Sequence, residues 1–320
     1  MNDHASPRVS VFMTTYFHEK YIRQSLDSIL MQKTDFDYEI CISDDCSEDD
    51  TCKIIKEYQE KYPFIRLNEN KENIGLTANF FKVKCMCQGK YIVDLSGDDY
   101  YIDPYKLQKQ ADFLEKNPEY LAVATAIENR YDNETTAVSL FPEKEKCNRD
   151  VTLEDFLKNV HIPLNGLMMR NVYLDEEKRE FFSLMPKMSK YIDDLTDELL
   201  IHLSGKVYIL SDPTTAYRLR RKTEGEHNFG SLNKGMSFFK KHVELFNNLA
   251  EYFKDLDFFE RYREMIANGY LTAIRYHGLN EFHEIYSTIP ESYRNRHLFG
   301  KSLLLVPSIV MNRLSVRLHG

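Results

Sequence analysis

The chain has 320 residues, 42% hydrophobic and 29% charged, with no low-complexity tract, which is enough for a sizeable core and for a large domain with a smaller one appended. Its formal net charge of −8 argues against nucleic acid as the main partner, because phosphate binding needs a basic face. The opening Met-Asn-Asp-His-Ala-Ser-Pro has no charged-then-apolar leader pattern, and the longest apolar stretch, Leu303 to Met311, is broken by Pro307 and Ser308, well short of the roughly 20 residues of a spanning helix.

The expectation is therefore a cytoplasmic chain, and six scattered cysteines without a Cys-x-x-Cys spacing read as reduced thiols. Val9 to Met13 is a β-branched apolar run, a first strand ending in Thr14-Thr15-Tyr16. Tyr21, Ile22, Ser25, Leu26, Ile29 and Leu30 then recur at helical spacing. Tyr38 to Ser43 is a second strand, ending in Asp44-Asp45. Ser47 and Asp50 look like a helix start, with Ile54, Ile55 and Tyr58 as its buried stripe. Phe64 to Leu67 is a third strand, and Asn73 to Thr77 a turn opening a helix through Cys87, with Gly89 as its C-cap.

Tyr91 to Leu95 follows as a buried strand that runs through Ser96-Gly97 into Asp98-Asp99. Asp103-Pro104 supplies an N-cap and N1 proline for a helix carrying Leu107, Ala111 and Leu114, and Leu121 to Ala126 is one more strand. This alternation predicts an α/β fold, a mostly parallel sheet with helices on both faces. Both acidic pairs fall at the same end of neighbouring strands, where ligands of open α/β sheets sit. Two adjacent carboxylates there are tolerable if solvated, and useful if a divalent cation lies between them and a phosphate. Alternation along a strand gives the two acids of each pair different directions.

Beyond Ala126 the pattern loosens. Residues 127–150 read as a surface excursion, Thr152 to Val160 as helical, and His161 to Gly166 as loop. Asp193 to Ser204 is a helix led by acids, followed by Gly205 and a strand, Val207 to Leu210. From Asn233 onward about three helices carry Phe238, Phe239, Phe246, Tyr252, Phe253, Phe258, Phe259, Tyr262 and Tyr270, read as core. From Arg294 to Gly320 there are five basic residues and no acid. With Leu303–Leu305, Ile309 and Val310, this tail fits either a membrane interface or a packed terminal helix.

Other nucleotide chemistries lose ground. None of the twelve glycines lies two residues from another, so there is no Gly-x-Gly-x-x-Gly turn. Gly300-Lys301-Ser302 lacks the earlier glycine of a P-loop, which would fall at Asn295. His18-Glu19 and His283-Glu284 lack a metalloprotease's second histidine.

These motifs resemble family 2 glycosyltransferases of the GT-A fold. The family's first strand ends near Thr-x-Tyr, matched by Thr14 and Tyr16. Its Asp-Asp-x-Ser-x-Asp-x-Thr is matched by Asp44-Asp45-Cys46-Ser47-Glu48-Asp49-Asp50-Thr51, with one extra residue. Asn-x-Gly is matched by Asn73 and Gly75. A subgroup reading Glu-Gly-Asp-Asp-Tyr-Trp-x-Asp-Pro-x-Lys-Leu-Gln-x-Gln is matched by Ser96 to Gln110, with Ser96 for the first acid and Tyr101 for tryptophan. The resemblance is strong over residues 8–126 and loose over about 190–220.

The resemblance implies a Rossmann-like GT-A domain with a donor half (1–126) and an acceptor half (127–228), then a helical extension (229–320). It implies inverting transfer of a sugar, from a nucleotide-diphosphate sugar of UDP type to a hydroxyl on a glycan or lipid-linked glycan, in cell-surface polysaccharide synthesis (capsule or lipopolysaccharide O-antigen). Asp98 and Asp99 would hold Mn²⁺ or Mg²⁺ and the ribose between them, with the division between the two open and Asp98 also among the nucleotide-binding residues. Thr14, Tyr16, Asp45, Asp44, Asn73, Gly75 and Arg218 would line the nucleotide, with Arg220, Arg221 and His227 in reach of the diphosphate. Asp194 is the expected base by its spacing to Gly205, with Asp193 and Asp197 as rivals. A tail of residues 294–320 at the membrane would put the chain at the inner face of the cell membrane. The alternatives are a non-catalytic nucleotide-sugar-binding scaffold of the same fold and a nucleotidyltransferase, whose glycine-rich basic loop after the first strand is missing.

Overall fold

The computed structural model describes residues 7–132, 134–192, 194–219, 235–276 and 278–309. Two compact units emerge, residues 1–156 with 161–222, and residues 157–160 with 223–320.

The first unit begins with alternating strands and helices: β1 (Val9–Thr15), α1 (Ile22–Leu30), β2 (Tyr38–Asp44), α2 (Thr51–Lys61), β3 (Ile65–Glu69), α3 (Leu76–Met86), β4 (Tyr91–Asp94), β5 (Tyr100–Tyr101), α4 (Lys106–Lys116) and β6 (Tyr120–Tyr131). Then come β7 (Ser139–Phe141), β8 (Arg149–Val151), α5 (Leu153–Leu157), β9 (Leu167–Arg170), α6 (Glu176–Phe182), α7 (Met185–Met188), α8 (Asp194–Ser204) and β10 (Lys206–Leu219). The sheet order is β3-β2-β1-β4-β9-β6-β10-β5.

The expected α/β fold holds, and β3, β2, β1 and β4 are parallel. Past β4 the sheet is mixed, because β9 enters antiparallel between β4 and β6. Four residues of Leu-Met-Met-Arg carry too little pattern to announce a strand. Residues 127–150 are not all excursion either: β6 runs on to Tyr131, and β7 and β8 pair with β6 and β10. The two acidic strand ends are not neighbours; β1 lies between β2 and β4.

Val11, Ile42, Val93 and Met168 of the sheet share one buried cluster with Ile22, Leu26 and Ile29 of α1 and Leu107, Ala111 and Leu114 of α4. Three local expectations shift. Gly89 does not cap α3, which ends at Met86 with Cys87 as cap; a Cβ at Gly89 would lie 2.7 Å from the Ser10 nitrogen, so β1 passes too close for any side chain. Helix α4 starts at Lys106 rather than at Pro104, and Asp103 Oδ1 accepts from the Tyr105 N–H at 2.9 Å, a local turn that delays it. Helix α2 starts at Thr51 without a side-chain cap, because Ser47 is engaged elsewhere.

The second unit holds α9 (Met236–Tyr252), α10 (Phe259–Tyr276), α11 (Leu279–Ser287), α12 (Glu291–Arg294) and α13 (Leu298–Leu303). Phe239, Phe246, Phe258, Phe259 and Tyr262 are buried, with Phe239 stacked on Phe282 at 5.4 Å. Phe238 and Tyr252 are exposed, against the core reading. Among the described residues no helix is long and apolar enough to cross a membrane.

Candidate active site

The carboxyl ends of β1, β2 and β4 are laced together by their backbones. The Asp45 N–H donates to Thr15 O at 2.9 Å and the Gly97 N–H to Thr14 O at 3.2 Å. Thr14 is half-buried and Tyr16 exposed, while Thr15 between them is buried. This is strand alternation continued into the loop.

Each acid of the first pair holds a loop. Asp44 accepts from Thr15 Oγ1, Ser47 N and Ser47 Oγ, each at 2.7 Å. Asp45 accepts from Asn70 Nδ2 at 3.0 Å, Ile74 N at 2.8 Å and Gly75 N at 3.0 Å. Gly75 sits at φ +89°, a conformation that favours glycine, and Asn73 Oδ1 accepts a second bond from its N–H. Both carboxylates are buried. They shape the wall on which Thr14, Tyr16 and Asn73 stand.

The second pair divides in two. Asp98 has a side chain 28% exposed, with His18 Nε2 at 4.0 Å from Oδ2. Asp99 is buried; its Oδ1 accepts from the Arg218 N–H at 2.8 Å and its Oδ2 from Asn165 Nδ2 at 3.1 Å. Burial, and then the charge of Asp98, push the Asp99 carboxyl up to about 8. The pair is not two equivalent ligands. Ser25 Oγ donates toward both Gly97 O at 2.9 Å and Asp99 O at 2.5 Å, tying this turn to α1. Gly97 is compelled, since a Cβ would lie 2.6 Å from His18 Nδ1 and 2.7 Å from Thr15 Cγ2.

The Arg218 guanidinium is engaged within the protein. Nε donates to Asp98 O at 2.7 Å, Nη1 to Asp132 Oδ1 at 3.0 Å and Nη2 to Gln24 Oε1 at 2.7 Å. A buried cation must be paired, and three acceptors surround this one. Arg220, Arg221 and His227 lie outside the described residues.

Of the three base candidates, Asp193 lies outside the described residues. Asp194 is exposed at the first residue of α8, with Oδ1 accepting from Leu195 N at 2.8 Å. Asp197 is buried against Lys84, Oδ2 to Nζ 2.6 Å, which removes it as a rival. The segment before Asp194 rests on the Asn73–Thr77 turn, as Thr77 Oγ1 donates to Ser189 O at 2.6 Å.

Asn165, Asp132, His18 and Lys84 were not anticipated. Asn165 is held by Thr215 Oγ1 on its own carbonyl at 3.1 Å. Gln110 Nε2 and Lys106 Nζ donate to the next carbonyl, Gly166 O, at 2.8 and 3.3 Å. Lys106 is wholly buried, which pulls its ammonium down to about 7. The only trace of this in the sequence is a polar Asn-Gly pair in an apolar loop.

The donor set suits a hard divalent cation. No group of three or more His, Cys, Asp or Glu able to hold a metal exists among the described residues. A cation carried on phosphates needs only one or two carboxylates from the protein, unlike one in an all-protein cage. One outward carboxylate at a strand end, Asp98, meets that requirement.

Residues 10–177, more than half of the chain, match the family model described as Glycosyl transferase family 2. An uncharacterised protein of Mycobacterium tuberculosis, Rv1520, is 35% identical over 163 residues, 51% of this chain and 46% of that protein. The chain thus spans about half the length of curated relatives it matches. The poly(ribitol-phosphate) beta-N-acetylglucosaminyltransferase TarS of Staphylococcus aureus is 24% identical over 98% of this chain and 52% of its own length. The crystal structure of its residues 1–349 with UDP-GlcNAc superposes at a TM-score of 0.61 and 18% identity, covering 93% of this chain and 89% of that one. The mannosyltransferase PcManGT of Pyrobaculum calidifontis, solved with GDP-Man and Mn²⁺, gives 0.53 at 15% identity over 95% and 88%.

Proposed function

This chain belongs to glycosyl transferase family 2, and we propose that it transfers a sugar with inversion from a UDP-sugar to a hydroxyl of a cell-surface polysaccharide or lipid-linked glycan. The observation that carries the reading is the split of the strand-end acids, Asp98 outward and Asp99 inward, beside Thr14 and Tyr16. Likeness to TarS, solved with UDP-GlcNAc and named for a polymeric acceptor, supports the donor and acceptor classes.

Asp98 is the residue that would hold Mn²⁺ or Mg²⁺. A divalent cation there supplies Lewis-acid stabilisation of the departing diphosphate. Asp99 orients the turn from inside. Thr14, Tyr16 and Asn73 contact the nucleoside on a wall kept in shape by Asp44, Asp45 and Gly75. Asp194, exposed at the start of α8, takes the proton of the acceptor hydroxyl as it attacks the anomeric carbon, a role worth on the order of 10²–10⁴ in rate. A single base opposite the leaving group gives inversion.

A thermal-shift panel of nucleotide sugars with and without Mn²⁺ tests the donor. The cognate sugar should stabilise by about 2.7 kcal/mol at a hundredfold excess over its Kd, and only with the cation. No stabilisation by any UDP-sugar would remove the donor assignment. Binding without turnover, on a panel of glycan acceptors, would favour the non-catalytic scaffold.

A peripheral membrane contact is proposed for the end of the tail only. Leu298 and Ser302 of α13 are buried, whereas Leu304 is 78% exposed. The full chain should float with anionic liposomes and a chain ending at Leu303 should not. Equal behaviour of the two would dispose of the contact.

A further inference from the structure

Resting on the reading that Asp98 holds the donor's cation, we infer that Arg218 is the positioning residue that fixes the Asp98–Asp99 turn, and thereby sets cation affinity, with no contact of its own to the diphosphate. Arg218 lies near the end of β10 with its side chain 6% exposed. Its backbone N–H holds the Asp99 carboxylate and its Nε the Asp98 carbonyl. One residue therefore clamps both acids, one by its side chain and the other by its backbone.

The two remaining guanidinium nitrogens reach away from the turn, to Asp132 at the end of β6 and to Gln24 on α1. Tyr21 and Tyr100 flank the guanidinium, with centroids 4.7 and 5.1 Å from Cζ. Tyr21 Oη also donates to the second oxygen of Asp132 at 3.3 Å. The clamp thus joins α1, the strand-end turn, β6 and β10.

The consequence is directional. Where the Asp98 carboxylate points depends on the plane of the Asp98–Asp99 peptide, and Nε fixes that plane through its carbonyl. The same cation sits beside the exposed Asp98 turn and pairs with Asp132, so it offsets their negative charge. Lysine cannot replace it, because a single ammonium on a flexible stem does not reach three acceptors in three directions.

The test is Mn²⁺ titration in the presence of UDP, by electron paramagnetic resonance, on the full chain and on Arg218→Lys, Gln24→Ala and Asp98→Asn. Groups that orient a metal's ligand are worth about 10–100-fold in metal affinity. Arg218→Lys should lose at least about tenfold, and Gln24→Ala, at an exposed position, a smaller but measurable amount. UDP binding without metal should stay unchanged in both. If Arg218→Lys fails to fold, Gln24→Ala and Asp132→Asn take its place, each with a smaller but measurable loss of Mn²⁺ affinity and unchanged metal-free UDP binding.

Mn²⁺ affinity unchanged in these variants, while Asp98→Asn lowers it, would overturn the positioning role and leave the cation reading intact. Loss of UDP binding by Arg218→Lys to the same degree with and without Mn²⁺ would overturn it too, in favour of direct phosphate contact. Unchanged affinity in Asp98→Asn would instead sink the cation reading itself.

Discussion

Lys84 Nζ lies 2.6 Å from Asp197 Oδ2, with both side chains buried and the Phe80 ring 4.2 Å from the ammonium. This pair joins α3 to α8, the helix whose first residue is Asp194. It turns one of two acids spaced a helical turn apart into a structural group. Asp197→Ala leaves Lys84 buried and uncompensated, which should cost about 3–5 kcal/mol. Asp194→Asn, at an exposed position, should change stability by less than about 0.5 kcal/mol and lower the transfer rate by roughly 10²–10⁴-fold. Urea denaturation and turnover of both variants check this; a stable, inactive Asp197→Ala beside an active Asp194→Asn would exchange their roles.

Thr77 Oγ1 donates to Ser189 O at 2.6 Å, so the turn built on Asp45 also supports the segment leading to the proposed base. Thr77→Val removes this bond at little change in volume. We expect kcat to fall roughly threefold to tenfold with the donor KM nearly unchanged, as misplacement of a catalytic group costs rate before binding. A raised donor KM at unaltered kcat would contradict it.

Gly97 and Gly89 separate site from scaffold. Gly97→Ala forces His18 and Thr15 aside and should weaken Mn²⁺-dependent UDP binding. Gly89→Ala meets the Ser10 backbone and should cost about 1–3 kcal/mol of stability with binding intact in the folded protein. Calorimetric titration beside thermal unfolding reads both effects.

Much of this was open to reading from the residues. Parallel strands buried on both faces leave continuous β-branched runs, so β1, β2 and β4 and the acids at their ends stand out. What could not be read is which acid faces where. Asp99 and Asp197 are fixed by partners distant in sequence, Arg218 and Lys84, and no local pattern records such pairings. Strand β9 was missed for a related reason: four residues flanked by loops are strand only because β4 and β6 flank them. The three acceptors around the Arg218 guanidinium, on Asp98, Asp132 and Gln24, are likewise distant in sequence.

Glu198 gives a pH dependence. Burial raises its carboxyl, but hydrogen bonds from His161 and the Ile162 N–H, with His202 Nε2 3.8 Å away, outweigh this and hold it below its ordinary 4.5. A depressed folded value means stabilisation present above about pH 4.5 and lost as pH falls through the lower folded value. Glu198→Gln should therefore flatten the acid side of the stability curve, seen as urea midpoints that change less between about pH 5 and 3. An acid limb as steep as that of the unaltered chain would contradict the assignment.

The most direct test of the central claim is an anomalous-scattering map from crystals grown with Mn²⁺ and UDP. The account predicts a manganese peak at coordination distance from a carboxylate oxygen of Asp98 and from the diphosphate, with Asp99 still held by Asn165 and Arg218. A peak bound to Asp99 with Asp98 turned away, or UDP seated elsewhere with no metal at this strand end, would contradict it.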